Sequence, residues 1–469
     1  MAAQAGVLIP LEGINEKLVA RLWDDQRPFV LPMATLDGQP FQVVYRGRRR
    51  WDRGPDFPNA LIAWANGRLS SGDVEVHVHA SDWYAHRHHL DPHYNGVILH
   101  VVLWGSAGGP TVRQDGQTVP VVSLALYLSA SLEGLMLSPA SDLPAPVPCW
   151  DDGKEDKESE VKLGAILEQY GEKRLAAKAA VFESDLTCRP ADQLLYRAIA
   201  VALGYSQNRR PFGRLAELLP VDSLAALQST TGVGALGLEA MLMGTAGLLP
   251  SQRGMDAPAD DPHPAALELA WEAGGRGGVD DPMEAREWEF FRVRPANFPT
   301  RRLGALAWLA SRWPPEGMAE RLAALATSVE PKALPRAMEG VLLGADREGY
   351  WSRHCDFGLP LRRRAEPIGR QRAAEVAVNA FLPFLVAQAA STDDAGLAER
   401  VHRAYLLYPK RGDNELTRYT AHQITGAARP RVARSACRQQ GLLGIYREFC
   451  ERKRCAECPC RIHLTERGG

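Results

Sequence analysis

The chain has 469 residues, 55 basic and 56 acidic side chains, a formal net charge of −1 and 45% hydrophobic residues. At roughly 100–200 residues per domain this is a multi-domain length, and the apolar fraction excludes a globally disordered or collagen-like chain. Near-zero charge argues against coating nucleic acid or membrane by bulk attraction. The averages hide two skews: 46 of the basic residues are Arg and nine are Lys, with no Lys between Lys17 and Lys154, and seven of the twelve His fall between His77 and His100.

In chain order, the N-terminal stretch has no positive n-region and no apolar core of signal-peptide length, so a cytoplasmic location is expected. A short amphipathic helix is predicted over Ile14 to Trp23, then strands at Gln42–Tyr45, Leu61–Trp64, Val74–Val78 and Val97–Leu103. The Asn66-Gly67 pair between the second and third strands is a hairpin-turn signal. Ser81 or Asp82 can cap a helix running to about His89, with Pro92 just beyond it. The nearly all-apolar run Val97–Leu103 reads as a strand buried on both faces. The 18 residues between Val78 and Val97 suffice for a βαβ crossover. These elements define an α/β domain with a mixed sheet over residues 1–135.

The stretch Ser138–Pro148 and the charged run Asp151–Glu160 read as a linker over 136–160. A mainly α-helical domain is expected over 161–435, with helices at Leu163–Phe182, Ala191–Leu203, Leu236–Leu248, Leu303–Trp313, Ala373–Ala390 and Leu397–Leu407. Residues 250–285, rich in Pro, Gly and Asp, read as a long loop. The most apolar stretch, Val376–Ala390, contains Asn379, Pro383 and Gln388 and falls short of the roughly 20 residues of a membrane span. It reads as a buried helix, and no membrane partner is expected. Residues 436–469 form a cysteine-rich tail.

Period-two alternation sets Val74, Val76 and Val78 on one face of their strand and Glu75, His77 and His79 on the other. A hairpin turning at Asn66-Gly67 can bring Asp56 beside Glu75. Two converging carboxylates suit Mg²⁺ or Mn²⁺, which favour hard oxygen ligands. Two other readings of the same block stay open: a polar strand face in contact with water, and a different metal site drawn from His77, His79, His86, His88 and Asp82. His100, within an apolar strand, reads as a satisfied core histidine, and Trp83 and Tyr94 as packing residues between crossover and sheet.

The order helix, strand, Pro55-Asp56, strand, Glu75-x-His77, helix, strand resembles the PD-(D/E)XK phosphodiesterase superfamily, whose fold is restriction-endonuclease-like. The resemblance implies that Asp56 and Glu75 bind the metal and that Glu16 is an accessory acidic residue on the first helix. His77 stands where the superfamily keeps a Lys that assists the attacking water. No nearby Lys exists to take that role, Arg stays protonated, and a neutral His could orient or deprotonate water near pH 7. Arg48, Arg49, Arg50 and Arg53, just upstream of Asp56, are candidates for contact with a nucleic-acid backbone.

Over nearly the whole chain, the stretches GPDFPNA, GDVEVHVHASDWYAHRHHLDPHYNGVILHVV, LGYSQNRRPFGRLAELLP, EAMLMGTAGLLP, RPANFPTRR and QQGLLGIYREFCERKRCAECP resemble the bacterial family catalogued as domain of unknown function 2851. That resemblance implies an architecture and no reaction. The expectation is a divalent-metal-dependent nuclease or phosphodiesterase acting on nucleic acid. The alternative is a non-catalytic nucleic-acid or protein-binding module that keeps a nuclease-like fold.

At the C-terminus, Cys450-x4-Cys455-x2-Cys458-x-Cys460 places four thiols close in sequence, with Cys437 upstream. Four of these five are expected to hold Zn²⁺ or an iron–sulfur cluster. Cys149, Cys188 and Cys355 read as scattered. In the helical region, Asn208, Arg209, Arg210, Arg294, Arg301 and Arg302 are candidates either for a basic face or for capping and satisfying backbone groups.

Overall fold

The computed structural model describes residues 15–26, 29, 32–49, 54–105, 111–128, 149 and 157–460, except 206, 232–233, 256–260, 275–278, 280, 291–292, 315, 345–348, 362 and 426–431. The predicted linker stretch Ser138–Pro148, Arg50 and Arg53 lie outside the described residues. The chain divides into two units. One comprises Met1–Pro144 with Phe290–Pro295, and the other comprises Ala145–Glu289 with Ala296–Gly469.

The first unit is built on a six-stranded mixed sheet, preceded by helix α1 (Glu16–Asp25). The strands are β1 (Met33–Ala34), β2 (Pro40–Tyr45), β3 (Phe57–Trp64), β4 (Leu69–His79), β5 (Val97–Trp104) and, after the small β6 (Thr111–Val112) and β7 (Thr118–Val119) hairpin, β8 (Val121–Ser123). Their order is β1-β2-β3-β4-β5-β8. The pairs from β1 to β4 are antiparallel, and β4–β5 and β5–β8 are parallel. The β3–β4 connection is the predicted hairpin: Gly67 adopts φ +80, a left-handed conformation that costs glycine little, and its N–H donates to the Trp64 carbonyl. Because Cβ atoms alternate along a strand, Val74, Val76, Leu99 and Val101 face one core, shared with Leu18, Val19, Leu22 and Trp23 of α1.

The crossover after β4 differs from the expected helix to His89. A single turn, α2 (Asp82–Ala85), ends where Arg87 takes φ 61, and 3-10 turns follow at His88–Leu90 and Pro92–Tyr94. The reversal at Arg87 sends His88 back toward the sheet, where it is buried. Trp83 and Tyr94 do pack as expected, in a cluster with Val97 of β5 and Val119 of β7. The β6–β7 hairpin is tied to α2, with the Trp83 indole N–H donating to the Val112 carbonyl (2.9 Å) and the Val112 N–H to the Tyr84 hydroxyl (3.2 Å).

The second unit is mostly helical, so the α/β-then-α layout holds. Its longest helix, α3, runs Lys157–Leu186 and starts inside the charged run read as linker. It packs against Ala436–Ile445 and Leu382–Ser391. Residues 250–285 are not one long loop: Pro262–Ala273 is a helix, with Pro262 in its first turn and the Asp261 side chain accepting from the His263 N–H. The apolar stretch lies within Arg370–Ser391, which by length and composition passes for a membrane span, yet most of that window is buried in the structure.

Candidate metal centre

The β3–β4 register brings the predicted carboxylates together. Phe57 pairs with Val74, so Asp56, one residue before β3 begins, falls opposite Glu75. Beyond Val74, the named partner of β4 is β5 alone. Asp56 fills the vacated edge: its Oδ2 accepts the Val76 N–H (3.3 Å), and its own N–H donates to Glu75 Oε2 (3.0 Å). Gly47, at φ +94, lets the chain after β2 pass against this point, since a Cβ there would lie 2.6 Å from the Phe57 carbonyl oxygen.

At Glu75 and His77 the polar face of β4 is not solvated, whereas His79 is exposed. Glu75 is 5% exposed and His77 1%. The other oxygen of Glu75, Oε1, lies 3.8 Å from His77 Nε2 and 3.4 Å from His88 Nε2. Glu16, in the first turn of α1, reaches the same place, with its Oε1 3.8 Å from His77 Nε2 and 3.6 Å from His86 Nδ1. His77, His86 and His88 each present a ring nitrogen, and the three nitrogens lie within 4.8 Å of one another. His88 Nε2 is buried and has no hydrogen-bond partner. Behind them, His77 Nδ1 bonds His100 Nε2 (2.9 Å), and His100 Nδ1 bonds Thr111 Oγ1 (3.0 Å). The buried Trp83 ring stands against His77, His88 and His100.

This crowding controls the charges. Burial, then the Asp56 carboxylate beside it, pushes the Glu75 carboxyl up to about 9. Burial raises Asp56 to about 6, with Glu16 adding to the rise and Arg49 opposing it. Burial also raises Glu16. Burial and then the neighbouring His100, His88 and His86 hold His77 down at about 2; burial puts His88 at about 4 and His100 at about 3. The imidazoles are therefore neutral lone-pair donors at ordinary pH, and the carboxylates are short of positive charge.

Other predicted residues sort by position. Arg49 is half-buried and opposes the rise at Asp56, while Arg48 is exposed. His79 stays out of the cluster: its ring stacks on Trp104 at 5.6 Å, and its backbone N–H donates to Asp82 Oδ2, while the Asp82 charge adds to the rise at Glu16. His79, Tyr84, Trp104 and Thr111 line an open cleft of about 690 Å³. His100 is buried and hydrogen-bonded, as read. The open reading of a metal site drawn from His77, His79, His86, His88 and Asp82 contained all three histidines that converge; it also included His79, which stands apart, and Thr111 was missed.

In the second unit, Arg301 and Arg302 are inside rather than on a basic face. Arg301 donates to the carbonyls of Trp351 (2.9 Å), Ala296 (2.9 Å) and Ala365 (2.7 Å). Arg302 donates to Pro367, Ala296 and the Asn297 and Tyr205 side chains. Asn208 bridges both backbone polar groups of Glu289. Positive charge gathers instead around Lys178, half-buried against Asn379 and Gln440 near Arg174 and Arg411.

At the C-terminus Cys458 and Cys460 are buried, with Cys450 packed beside them, and the partner from elsewhere is Cys149. Burial, then Cys458, Cys149 and Cys455, push the Cys450 thiol up to about 12. Cys437 faces Glu168 and Tyr405. No spacing rule could have joined Cys149 to a group some 300 residues away.

No curated protein and no solved structure matches the chain significantly. The family model described as "Protein of unknown function (DUF2851)" matches residues 16–414, a span that includes Glu16, Asp56, Glu75, every histidine of the cluster and Cys149, and ends before Cys437. The chain belongs to this family.

Proposed function

We propose that the first unit is a divalent-metal-dependent phosphodiesterase of restriction-endonuclease-like fold, acting on nucleic acid. The observation that carries this reading is the pair of carboxylates, half-buried Asp56 and buried Glu75, delivered side by side by adjacent antiparallel strands. The order helix, four antiparallel strands (the first of two residues), crossover and parallel strand supports it. The donor set fits the ion: the oxygens of Asp56, Glu75 and Glu16 are hard ligands, and their raised proton affinities mark a site short of positive charge. A bound divalent cation would polarise a phosphoryl oxygen and acidify a water.

The chain's own residues then position and neutralise. Asp56 is oriented by the Val76 N–H, and Glu75 by the Asp56 N–H. Arg49 sets a fixed positive charge near Asp56 for a phosphate, with Arg48 exposed two residues beyond Arg46. The Trp104–His79 stack and Tyr84, lining the cleft, offer faces on which bases can stack. His77 differs from a Lys in carrying no charge at neutral pH, and this favours the second reading, a binding module that keeps the fold.

Cleavage of DNA and RNA by wild type, Asp56→Ala and Glu75→Ala with Mg²⁺ or Mn²⁺ tests the choice. Activity lost in both variants supports the enzyme; equal residual cleavage by all three leaves binding alone. For the tail, we propose that Cys149, Cys450, Cys458 and Cys460, with Cys455 beside them, hold Zn²⁺ or an iron–sulfur cluster. Metal analysis with an absorption spectrum separates the two, because a colourless protein containing zinc rejects the cluster.

A further inference from the structure

We propose that His77, His86 and His88, with Glu75 and Glu16, form a second cation site selective for a transition metal of the zinc class, and that Glu75 bridges it to the Asp56 side. It shares Glu75 with the phosphodiesterase reading but does not depend on phosphodiester hydrolysis.

The argument is geometric. An ion taking four of these five groups as ligands at about 2.0–2.1 Å has ligand–ligand edges of about 3.3 Å. Glu75 Oε1 stands 3.4 Å from His88 Nε2 and 3.8 Å from His77 Nε2. Glu16 Oε1 stands 3.6 Å from His86 Nδ1 and 3.8 Å from His77 Nε2. Each nitrogen–oxygen edge is thus within about 0.5 Å of the coordination length. The three nitrogens, within 4.8 Å of one another, must close by up to about 1.5 Å. His86 is the ring free to move, because it is exposed on the turn after α2 while the other two are buried.

Two further observations point to a ligand. The buried His88 Nε2 has no hydrogen-bond partner and lies against Glu75, so a donor atom that would otherwise cost free energy is aimed at the shared point. The chain His77–His100–Thr111 supplies the outer support that metal-bound imidazoles use. If Thr111 Oγ1 accepts from His100 Nδ1–H, His100 Nε2 accepts from His77 Nδ1–H and His77 Nε2 is left with a bare lone pair toward Glu75. The two oxygens of Glu75 divide their neighbours: Oε2 takes the Asp56 N–H, and Oε1 faces the histidines. Three imidazoles favour zinc-class ions over Mg²⁺, which prefers oxygen and keeps its waters.

The test is titration of chelator-stripped full-length protein with Zn²⁺ and Co²⁺, for wild type and the His86→Ala, Thr111→Val and Asp56→Asn variants. Visible d–d bands of Co²⁺ report a nitrogen–oxygen site, and thiolate charge-transfer bands report the tail separately. The His86→Ala variant should lose the nitrogen–oxygen component about 100-fold in affinity, and Thr111→Val should weaken it by about 10-fold. In Asp56→Asn it should persist within about threefold while any cleavage disappears, so that loss of the nuclease reading leaves this site standing. Unchanged d–d bands and Zn²⁺ affinity in His86→Ala, or displacement of Co²⁺ by equimolar Mg²⁺, would overturn the proposal. His86 is exposed, so its truncation leaves the fold in place for the comparison, and circular dichroism checks this.

Discussion

Replacing Glu75 by Gln in metal-free protein should stabilise the sheet at high pH and remove its response to metal. Glu75 is raised from an ordinary value of 4.5 to about 9, first by burial and then by Asp56. A carboxyl with a raised pKa holds in the folded state a proton that the unfolded chain has released. Its contribution is therefore fully present below pH 4.5 and lost as pH rises through 9. At about 1.4 kcal/mol per pH unit, raising pH from 5 to 8 costs the wild type about 4 kcal/mol if Glu75 titrates alone. Asp56 shares the repulsion, so the expected gain of Glu75→Gln over wild type across this interval is about 2–4 kcal/mol. The amide oxygen of Gln can still accept the Asp56 N–H, so no orphan donor is created. His77, His88 and His100 depend on pH in the opposite sense: held low, they contribute fully above about 6.5 and lose it as pH falls toward 4 to 2. That dependence is common to both proteins and cancels in the difference. Hydrogen exchange of the β4 and β5 amides at pH 5, 6.5 and 8, with chelator and then with Mn²⁺, reads the local opening free energy of this sheet. Mn²⁺ should reverse the order by stabilising wild type alone. A wild-type–variant difference that stays within about 0.5 kcal/mol from pH 5 to 8 would refute the account of the buried pair.

Gly47→Ala should weaken both sheet and site, because the new Cβ meets the Phe57 carbonyl at 2.6 Å and φ is +94. A loss of about 2–4 kcal/mol in the same exchange experiment, with weaker Mn²⁺ binding, is expected from backbone strain plus displacement of Asp56. Arg301→Lys should leave two of the three carbonyls without the guanidinium donors and cost about 1–3 kcal/mol, read as a lower thermal midpoint of the helical unit. His77→Lys sets an ammonium beside Glu75 and Glu16 and removes an imidazole; Zn²⁺ affinity at the histidines should fall while Mg²⁺-dependent cleavage is kept or raised, measured side by side. Lys178→Met should raise the midpoint of the helical unit at neutral pH by about 1–3 kcal/mol, since burial holds the Lys178 amine well below its ordinary range and the neutral partners Asn379 and Gln440 do not offset that cost.

The carboxylate pair was legible in the sequence because everything that fixes it is local. Alternation sets the face, Asn66-Gly67 sets the turn, and the turn sets the register that puts Asp56 opposite Glu75. The histidines were legible as one of three open readings, but their exact grouping was not, because it depends on Arg87 taking a left-handed conformation where no glycine announces one. A helix continued to His89 would have carried His86 and His88 along its axis, whereas the reversal turns His88 back toward Glu75. For Arg301 and Arg302 the sequence leaves open a basic face or the satisfying of backbone groups, and the structure shows the second; their acceptors are carbonyls of residues up to 65 positions away, which no periodicity encodes. Cys149 and the segment Phe290–Pro295 follow the same rule, each belonging with chain that is distant in sequence.

The missing lysines and the crowded histidines are two sides of one charge balance. A Lys at position 77 would supply a positive charge to the buried carboxylates through the protein itself. With His77 in that place, held neutral by burial and by the neighbouring rings, the acids Glu16, Asp56 and Glu75 have Arg49 as the cation that lowers Asp56 and no ammonium among the described neighbours. Protonation can relieve them, and the raised values of Asp56 and Glu75 are that relief, but it blocks the oxygens as ligands. A doubly charged ion relieves the same repulsion while using those oxygens, and His77 and His88, held neutral, add lone pairs for it rather than competing charge. Under the proposed function, a neutral His77 leaves these acids with less positive charge than a Lys there would supply, and a metal ion is then what offsets their repulsion.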